Sequence, residues 1–306
     1  MEEIVVTEKL TKNFGKVRAV NDLSLTVRKG EIYGFLGLNG SGKTTTIRML
    51  LGMIRPASGK AIICGKRVNA GKYRLWADIG YLVEMPYSYP DLTVRENLEI
   101  VCELRGIHDA ECIERVMEGL KLSQYSARKA KHLSLGNAQR LGLAKALLHN
   151  PSILLLDEPA NGLDPAGIVE IRELLSDLAA NHGVTVFISS HILGEIAKLA
   201  NRIGIIHKGQ LVQELTTAQL NTVRQKRLLI DARDREALQR YLTGVGFPVG
   251  ATQEGHMVVT DVRAVNNPDT LCNALVKAGI TPVMLSVDEE DLESYFLRMI
   301  GKVGDL

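Results

Sequence analysis

The part of this chain best equipped for chemistry is a lysine and a threonine that close a glycine-spaced octet. Residues 37–44 read Gly-Leu-Asn-Gly-Ser-Gly-Lys-Thr, the spacing G-x-x-x-x-G-K-[ST] with Gly37, Gly42, Lys43 and Thr44 in the fixed places. A phosphate chain needs several backbone N–H groups aimed at one point, and the small residues Gly37, Gly40, Ser41 and Gly42 let the backbone curl into that nest. Leu38, Asn39 and Thr45 complete the phosphate-contacting stretch. A helix beginning at the octet adds free N-terminal donors and a positive dipole end. Lys43 can then reach the β- and γ-phosphates, and the Thr44 hydroxyl can sit on Mg²⁺. The chemistry indicated is the binding of a nucleoside triphosphate.

A second group of residues supplies what hydrolysis would need. Ile153-Leu-Leu-Leu-Asp157-Glu158 is an apolar run ending in two acids. Burying such a strand delivers Asp157 to the sheet edge, where it can orient Mg²⁺. Glu158, one residue on, can polarise a water for in-line attack on the γ-phosphate. Two acids at a strand end are often merely solvated, and it is the upstream octet that gives them a role. Ser134, just before a helix that begins near Gly136, caps that helix and presents a hydroxyl and free N–H groups at its positive end; a plain cap is the other reading. Phe14 can stack on a purine or simply pack in the core. His191, standing alone after a strand, reads as structural on its own evidence.

The elements that must position these groups follow from the hydrophobic pattern. Glu3 to Lys9 and Ala19 to Val27 alternate apolar and polar residues, which predicts half-exposed antiparallel strands. Glu31–Leu36, Ile79–Val83, Ile153–Leu156 and Val184–Ser189 are short apolar stretches of the kind found in buried parallel strands. Helices are predicted after the octet over Thr45–Leu51 and over about Ala166–Ala180. The capping box Thr93-Val-Arg-Glu96 starts another, with Val94, Leu98, Val101 and Leu104 on one face. Residues 84–90, Glu-Met-Pro-Tyr-Ser-Tyr-Pro, form a loop stiffened by prolines, and residues 109–149 read as mostly helical. Alternating strands and helices predict an α/β layer architecture. A polar stretch around Leu215 to Gln225 reads as a linker. Beyond it the order β-α-β-β-α-β predicts a small ferredoxin-like α+β unit, closed by a helix carrying Leu292, Tyr295, Phe296 and Met299. The expected division is residues 1–218 and 219–306.

Composition narrows the classes. The 306 residues are 45% hydrophobic and 24% charged, ordinary for a globular chain. A net charge of +2 gives no bulk electrostatic hold on nucleic acid. The four cysteines (Cys64, Cys102, Cys112, Cys272) lack metal or disulfide spacing, as expected of reduced cytosolic thiols. No apolar run approaches the roughly 18 residues of a membrane span, and Met-Glu-Glu at the start lacks the features of a signal peptide.

Octet, Ser134-Leu-Gly136 helix start and Asp157-Glu158 strand, in that order, resemble the nucleotide-binding subunit of an ATP-binding cassette (ABC) transporter over residues 2 to 215. Leu133-Ser-Leu-Gly-Asn137 matches the family signature Leu-Ser-Gly-Gly-Gln at Leu133, Ser134 and Gly136 and departs from it at Leu135 and Asn137. Gln139 and Arg140 fit its continuation. Gly162-Leu-Asp-Pro165 matches the loop that touches the opposite subunit, and His191 the switch histidine that touches the γ-phosphate. The resemblance implies a P-loop NTPase fold with a RecA-like core, an antiparallel β subdomain and a helical subdomain. It also implies ATP and Mg²⁺ as cofactors, Phe14 against adenine, and metal contacts from Thr44, Asp157 and Glu84. In catalysis it implies Lys43, Glu158 and His191, and Ser134 and Gly136 that cap the ATP of a second cassette, either another copy or a paralogue.

Glu84 stands where most family members carry a glutamine that links Mg²⁺ and the attacking water to the membrane partner. With the Ser-Leu-Gly-Asn signature it resembles the bacitracin-resistance and lantibiotic-immunity branch, whose members power export of peptide antibiotics; a general exporter motor is the alternative. Tyr87, Tyr89 and Pro90 then form a docking surface or a rigid turn. The implied partners are separate integral membrane permease subunits, with the chain at the cytoplasmic face of the membrane. A ribosome- or DNA-directed ABC ATPase is the remote rival, since one cassette is present and residues 44–133 lack sustained heptads.

Overall fold

The computed structural model describes residues 2–69, 73–84, 87–251, 255–290 and 292–304. The chain divides into two compact units, Met1–Thr217 and Ala218–Leu306.

In the first unit the strands β1 (Glu3–Phe14) and β2 (Val17–Arg28) pair antiparallel; Leu23, Leu25 and Val27 of β2 alternate with more exposed neighbours, while register shifts break the alternation in β1. They are followed by β3 (Ile32–Leu36), α1 (Lys43–Leu50), β4 (Ser58–Ile63), β5 (Lys66–Arg67) and β6 (Ile79–Leu82). Then come α2 (Val94–Arg105), α3 (Cys112–Gly119), α4 (Leu135–Leu147), β7 (Ile153–Asp157), α5 (Pro165–His182), β8 (Thr185–Ser190), α6 (Leu193–Leu199), β9 (Arg202–His207) and β10 (Gln210–Thr216). Among the described residues one sheet runs β2-β1-β4-β5 and a larger one runs β10-β9-β3-β8-β7-β6. The strands from β9 to β6 are parallel, and β10 turns back antiparallel at the edge. Every residue of β3 and β7 is buried, as continuous apolar strands covered on both faces require. Phe187 centres this core, its ring 5.5 Å from that of Tyr33 and 5.2 Å from that of Phe35.

One expectation needs correction. The helix α2 has its capping box, and Val94 and Leu98 are buried, but Leu104 is 79% exposed. Each three-residue step rotates about 60° short of a full turn, so a run spaced 98, 101, 104 drifts off the covered stripe. The polar stretch from Leu215 to Gln225 contains the division between the two units, after Thr217. It ends β10 and forms α7 (Thr217–Val223), with Leu215 and Leu220 both buried.

The second unit contains β11 (Lys226–Ala232), α8 (Arg235–Gly244), β12 (Val249–Ala251), β13 (Met257–Val259), α9 (Val262–Asn266), α10 (Pro268–Lys277), β14 (Pro282–Glu289) and α11 (Leu292–Gly304). Its sheet order is β12-β13-β11-β14, all pairs antiparallel. Leu228, Ile230, Leu238, Leu242, Leu271 and Leu275 form its core. Apart from the added α9 and α11, this is the β-α-β-β-α-β arrangement of a ferredoxin-like unit.

Candidate nucleotide site

The parallel register brings the chemistry together. Leu36 pairs with Ser190, and Asp157 with Ser189, so β3, β7 and β8 end at one level with their carboxyl ends at the same sheet edge. Open α/β sheets bind ligands in the crevice outside those ends. The octet leaves β3 there, and the Gly37 N–H donates to the Ser190 carbonyl at 3.2 Å.

Glycine is required at two positions in the loop. Gly42 has φ 110°, and a Cβ there would lie 2.5 Å from the Ala19 carbonyl oxygen. A Cβ on Gly37 would meet Ser41 Oγ at 2.3 Å and the Ile206 carbonyl oxygen at 2.6 Å. No L side chain fits either place without moving backbone.

Lys43, in the first turn of α1, is buried, and its Nζ donates to the Gly37 carbonyl at 2.6 Å and to that of Leu38 at 3.3 Å. The same Nζ stands 3.3 Å from Glu158 Oε1. Thr44 donates its hydroxyl to Asp157 Oδ2 at 2.7 Å, while Ser189 donates to Asp157 Oδ1 at 2.5 Å. The Ser189 oxygen in turn accepts the Glu158 N–H at 3.2 Å. Glu158 sits in the left-handed region at φ 50°, which turns its side chain out of the strand direction. Its Oε2 accepts from His191 Nδ1 at 2.8 Å.

The structure therefore joins the octet, Asp157, Glu158 and His191 into one constellation. The other expected site residues stand on contacts of their own. Phe14, at the end of β1, is half exposed, with Lys12 Nζ 5.2 Å from its ring centroid. Ser134 caps α4 by accepting the Asn137 N–H at 3.3 Å, and Gly136 packs against Gly162 and Leu163. Glu84 is exposed, and its carboxylate accepts from the Arg48 guanidinium on α1. Met85 and Pro86 of the expected loop lie outside the described residues. Tyr87 and Tyr89 meet edge to face at 5.7 Å, and Tyr87 is 76% exposed. Buried Asn97 binds both the N–H and the carbonyl of Tyr89, and Lys145 of α4 donates to the Tyr87 carbonyl at 3.0 Å. Burial pulls the Lys145 ammonium down to about 8.

One participant, Ser189, is not visible in the sequence as a site residue, since only the β7–β8 register makes it Asp157's partner. Gln139, which fits the continuation of the signature, is buried on α4, donates to the Glu158 carbonyl at 3.2 Å and ties the helix capped by Ser134 to the acid.

The donor set also bears on a metal. Among the described residues no group of three or more His, Cys, Asp and Glu side chains could hold one. Thr44 and Asp157 instead offer a hydroxyl and a buried carboxylate side by side. That suits Mg²⁺, which takes one or two protein oxygens and fills its octahedron with phosphate oxygens and water.

Comparison with known proteins shows what the chain as a whole is similar to. The family model described as ABC transporter matches residues 20–161. The chain is 40% identical over 305 residues to the bacitracin transport ATP-binding protein BcrA of Bacillus licheniformis, covering 98% of each chain. It is 36% identical over 207 residues to the lantibiotic transport ATP-binding protein SrtF of Streptococcus pyogenes, covering 68% of this chain and 88% of that one. Among solved structures it resembles a dimeric bacterial ABC transporter cassette with a TM-score of 0.66 and 26% identity, covering 70% of this chain and 99% of the other.

Proposed function

The chain belongs to the ABC transporter family as an ATP-hydrolysing nucleotide-binding subunit, and we propose that it powers export of a peptide antibiotic of the bacitracin or lantibiotic type through a separate membrane permease. In this reading ATP lies along residues 37–45 with its adenine against Phe14. A second copy of the chain brings Ser134 and Gly136 over the triphosphate. Thr44 and Asp157 would hold Mg²⁺, which would supply positive charge against the phosphate oxygens. Ser189 and Thr44 keep the Asp157 carboxylate turned toward that position.

The observation that carries the catalytic assignment is at Glu158. Its Oε2 is held by His191, while its buried Oε1 accepts no hydrogen bond among the described residues and has only the Lys43 ammonium 3.3 Å away as an ion-pair partner. An oriented carboxylate with a free lone pair can accept a proton from an attacking water. Lys43 and His191 flank the same carboxylate, close enough to stabilise the charge that develops on the transferring phosphoryl group.

The cargo assignment is supported by identity over nearly the whole chain with a bacitracin transport protein, together with Glu84 in the loop before Tyr87. A permease is the partner this reading requires, with the chain at the cytoplasmic face. Among the described residues no helix is long and apolar enough to cross a membrane. Co-expression with the permease subunits of a bacitracin exporter in a bacitracin-sensitive host tests the proposal. Resistance should rise and fall back to the host's level with Lys43→Ala; resistance that Lys43→Ala leaves intact, or that never rises, refutes the cargo.

A further inference from the structure

A cavity of about 180 Å³ borders the Glu158–His191 pair on the side of α5 and α6. Its walls are aliphatic: Ile168, Ile171 and Leu175 of α5, Ile188 of β8, and Ile196 and Leu199 of α6. Two loops complete it, Asn161–Leu163 downstream of Glu158 and Ser190–Ile192 around His191. Arg172 and Glu195 also line it as an ion pair, their charged groups 3.8 Å apart, and Lys198 Nζ stands 3.6 Å from the other Glu195 oxygen.

Protein interiors seldom keep voids larger than a water molecule, and an aliphatic wall facing a void forfeits dispersion contacts. A dry cavity of about 150 Å³ with Leu and Ile walls is large enough to take up benzene. We propose that this cavity is a binding site for a small, uncharged aromatic molecule of one or two fused rings. We further propose that its occupancy slows ATP hydrolysis. The ligand would wedge between the two loops and move His191 away from Glu158, so the acid would lose the bond that orients it. The binding site stands on the cavity alone; its effect on turnover rests on the catalytic reading of Glu158.

Indole is the probe, used with the full chain. Equilibrium dialysis should give saturable binding of one indole per chain with a Kd of about 0.1–1 mM, as expected of nine heavy atoms in an apolar pocket. At saturation kcat for ATP should fall several-fold while the KM for ATP stays the same. Ile168→Phe and Leu199→Phe each place a ring in the cavity from a half-buried position, and each should abolish indole binding and its effect. Circular dichroism identifies any variant that loses its fold, and the other then carries the test. Absence of saturable binding, or binding that survives both fillings, overturns the site. Binding that leaves kcat unchanged overturns the regulatory effect. If Glu158→Gln still hydrolyses ATP while indole binds as described, the catalytic reading fails and the site stands.

Discussion

Thr44 and Asp157, 113 positions apart in the chain, share a 2.7 Å hydrogen bond between hydroxyl and carboxylate. That bond ties the first turn of α1 to the end of β7. It exists because β3, β8 and β7 are parallel and in register, so the residues leaving each strand meet at one edge. The nucleotide chemistry of the chain is assembled by this register more than by any single element.

Lys43 is the cation in that assembly, bound to two loop carbonyls and 3.3 Å from Glu158. Lys43→Ala removes charge-assisted bonds to phosphate worth about 1.5–3 kcal/mol, so ATP affinity should fall roughly 10- to 150-fold. A fluorescent-nucleotide titration checks this; unchanged affinity would remove the loop from the site.

Gly42→Ala tests the loop's shape rather than its charge. The new methyl would sit 2.5 Å from the Ala19 carbonyl oxygen at a backbone φ of 110°. The loop must then distort, so nucleotide binding should be lost and the melting temperature should drop. A variant that binds ATP normally would show that the Gly42 conformation is dispensable.

Glu84 accepts from Arg48 on the helix that follows the phosphate loop. As an exposed pair it contributes little stability, so Glu84→Gln should leave both the fold and ATP binding intact. It should instead shift the Mg²⁺ concentration needed for half-maximal hydrolysis, since it exchanges a carboxylate for an amide. Superimposable Mg²⁺ titrations of variant and parent would deny Glu84 any part in metal use.

The acid limit of stability should be set in part by His149. Its Nε2–H donates to the Ile79 carbonyl at 3.1 Å, while Nδ1 is buried with no partner among the described residues. Burial first, and the Arg105 guanidinium second, pull its pKa down to about 4. The unfolded chain, with histidine near 6.5, therefore binds more protons in between, and stability falls with falling pH. Its contribution is fully present above pH about 6.5 and is lost as the pH drops through about 4. Urea denaturation should show a shallower loss of stability between those values for His149→Gln than for the parent. Equal slopes would contradict the assignment.

Much of this was legible in the residues. The octet is readable because phosphate binding demands fixed types at fixed spacing, and β3, β7 and β8 because strands buried on both faces leave unbroken apolar runs. Ser189 is different. It reaches the site through a neighbour 32 positions away in sequence, and a buried serine carries no local sign of what it will touch. The edge hairpin β9–β10 has its mark in the Lys208-Gly209 turn, with both residues at positive φ, although its strands are short. The polar stretch from Leu215 to Gln225, where the two units divide, carries a helix that its composition does not announce, with Leu215 and Leu220 buried.

The central claim is that the phosphate loop works as half of a site, completed by Ser134 and Gly136 of a second copy. Glu158→Gln keeps the carbonyl oxygen that accepts from His191 but weakens proton abstraction, so hydrolysis should fall about 10²- to 10⁴-fold and ATP should persist between the subunits. Light scattering of this variant with ATP and Mg²⁺ measures the outcome directly. The account predicts a mass twice that of the 33.6 kDa chain, returning to the single-chain mass when ATP is removed. A particle that stays monomeric with ATP fully bound would contradict it.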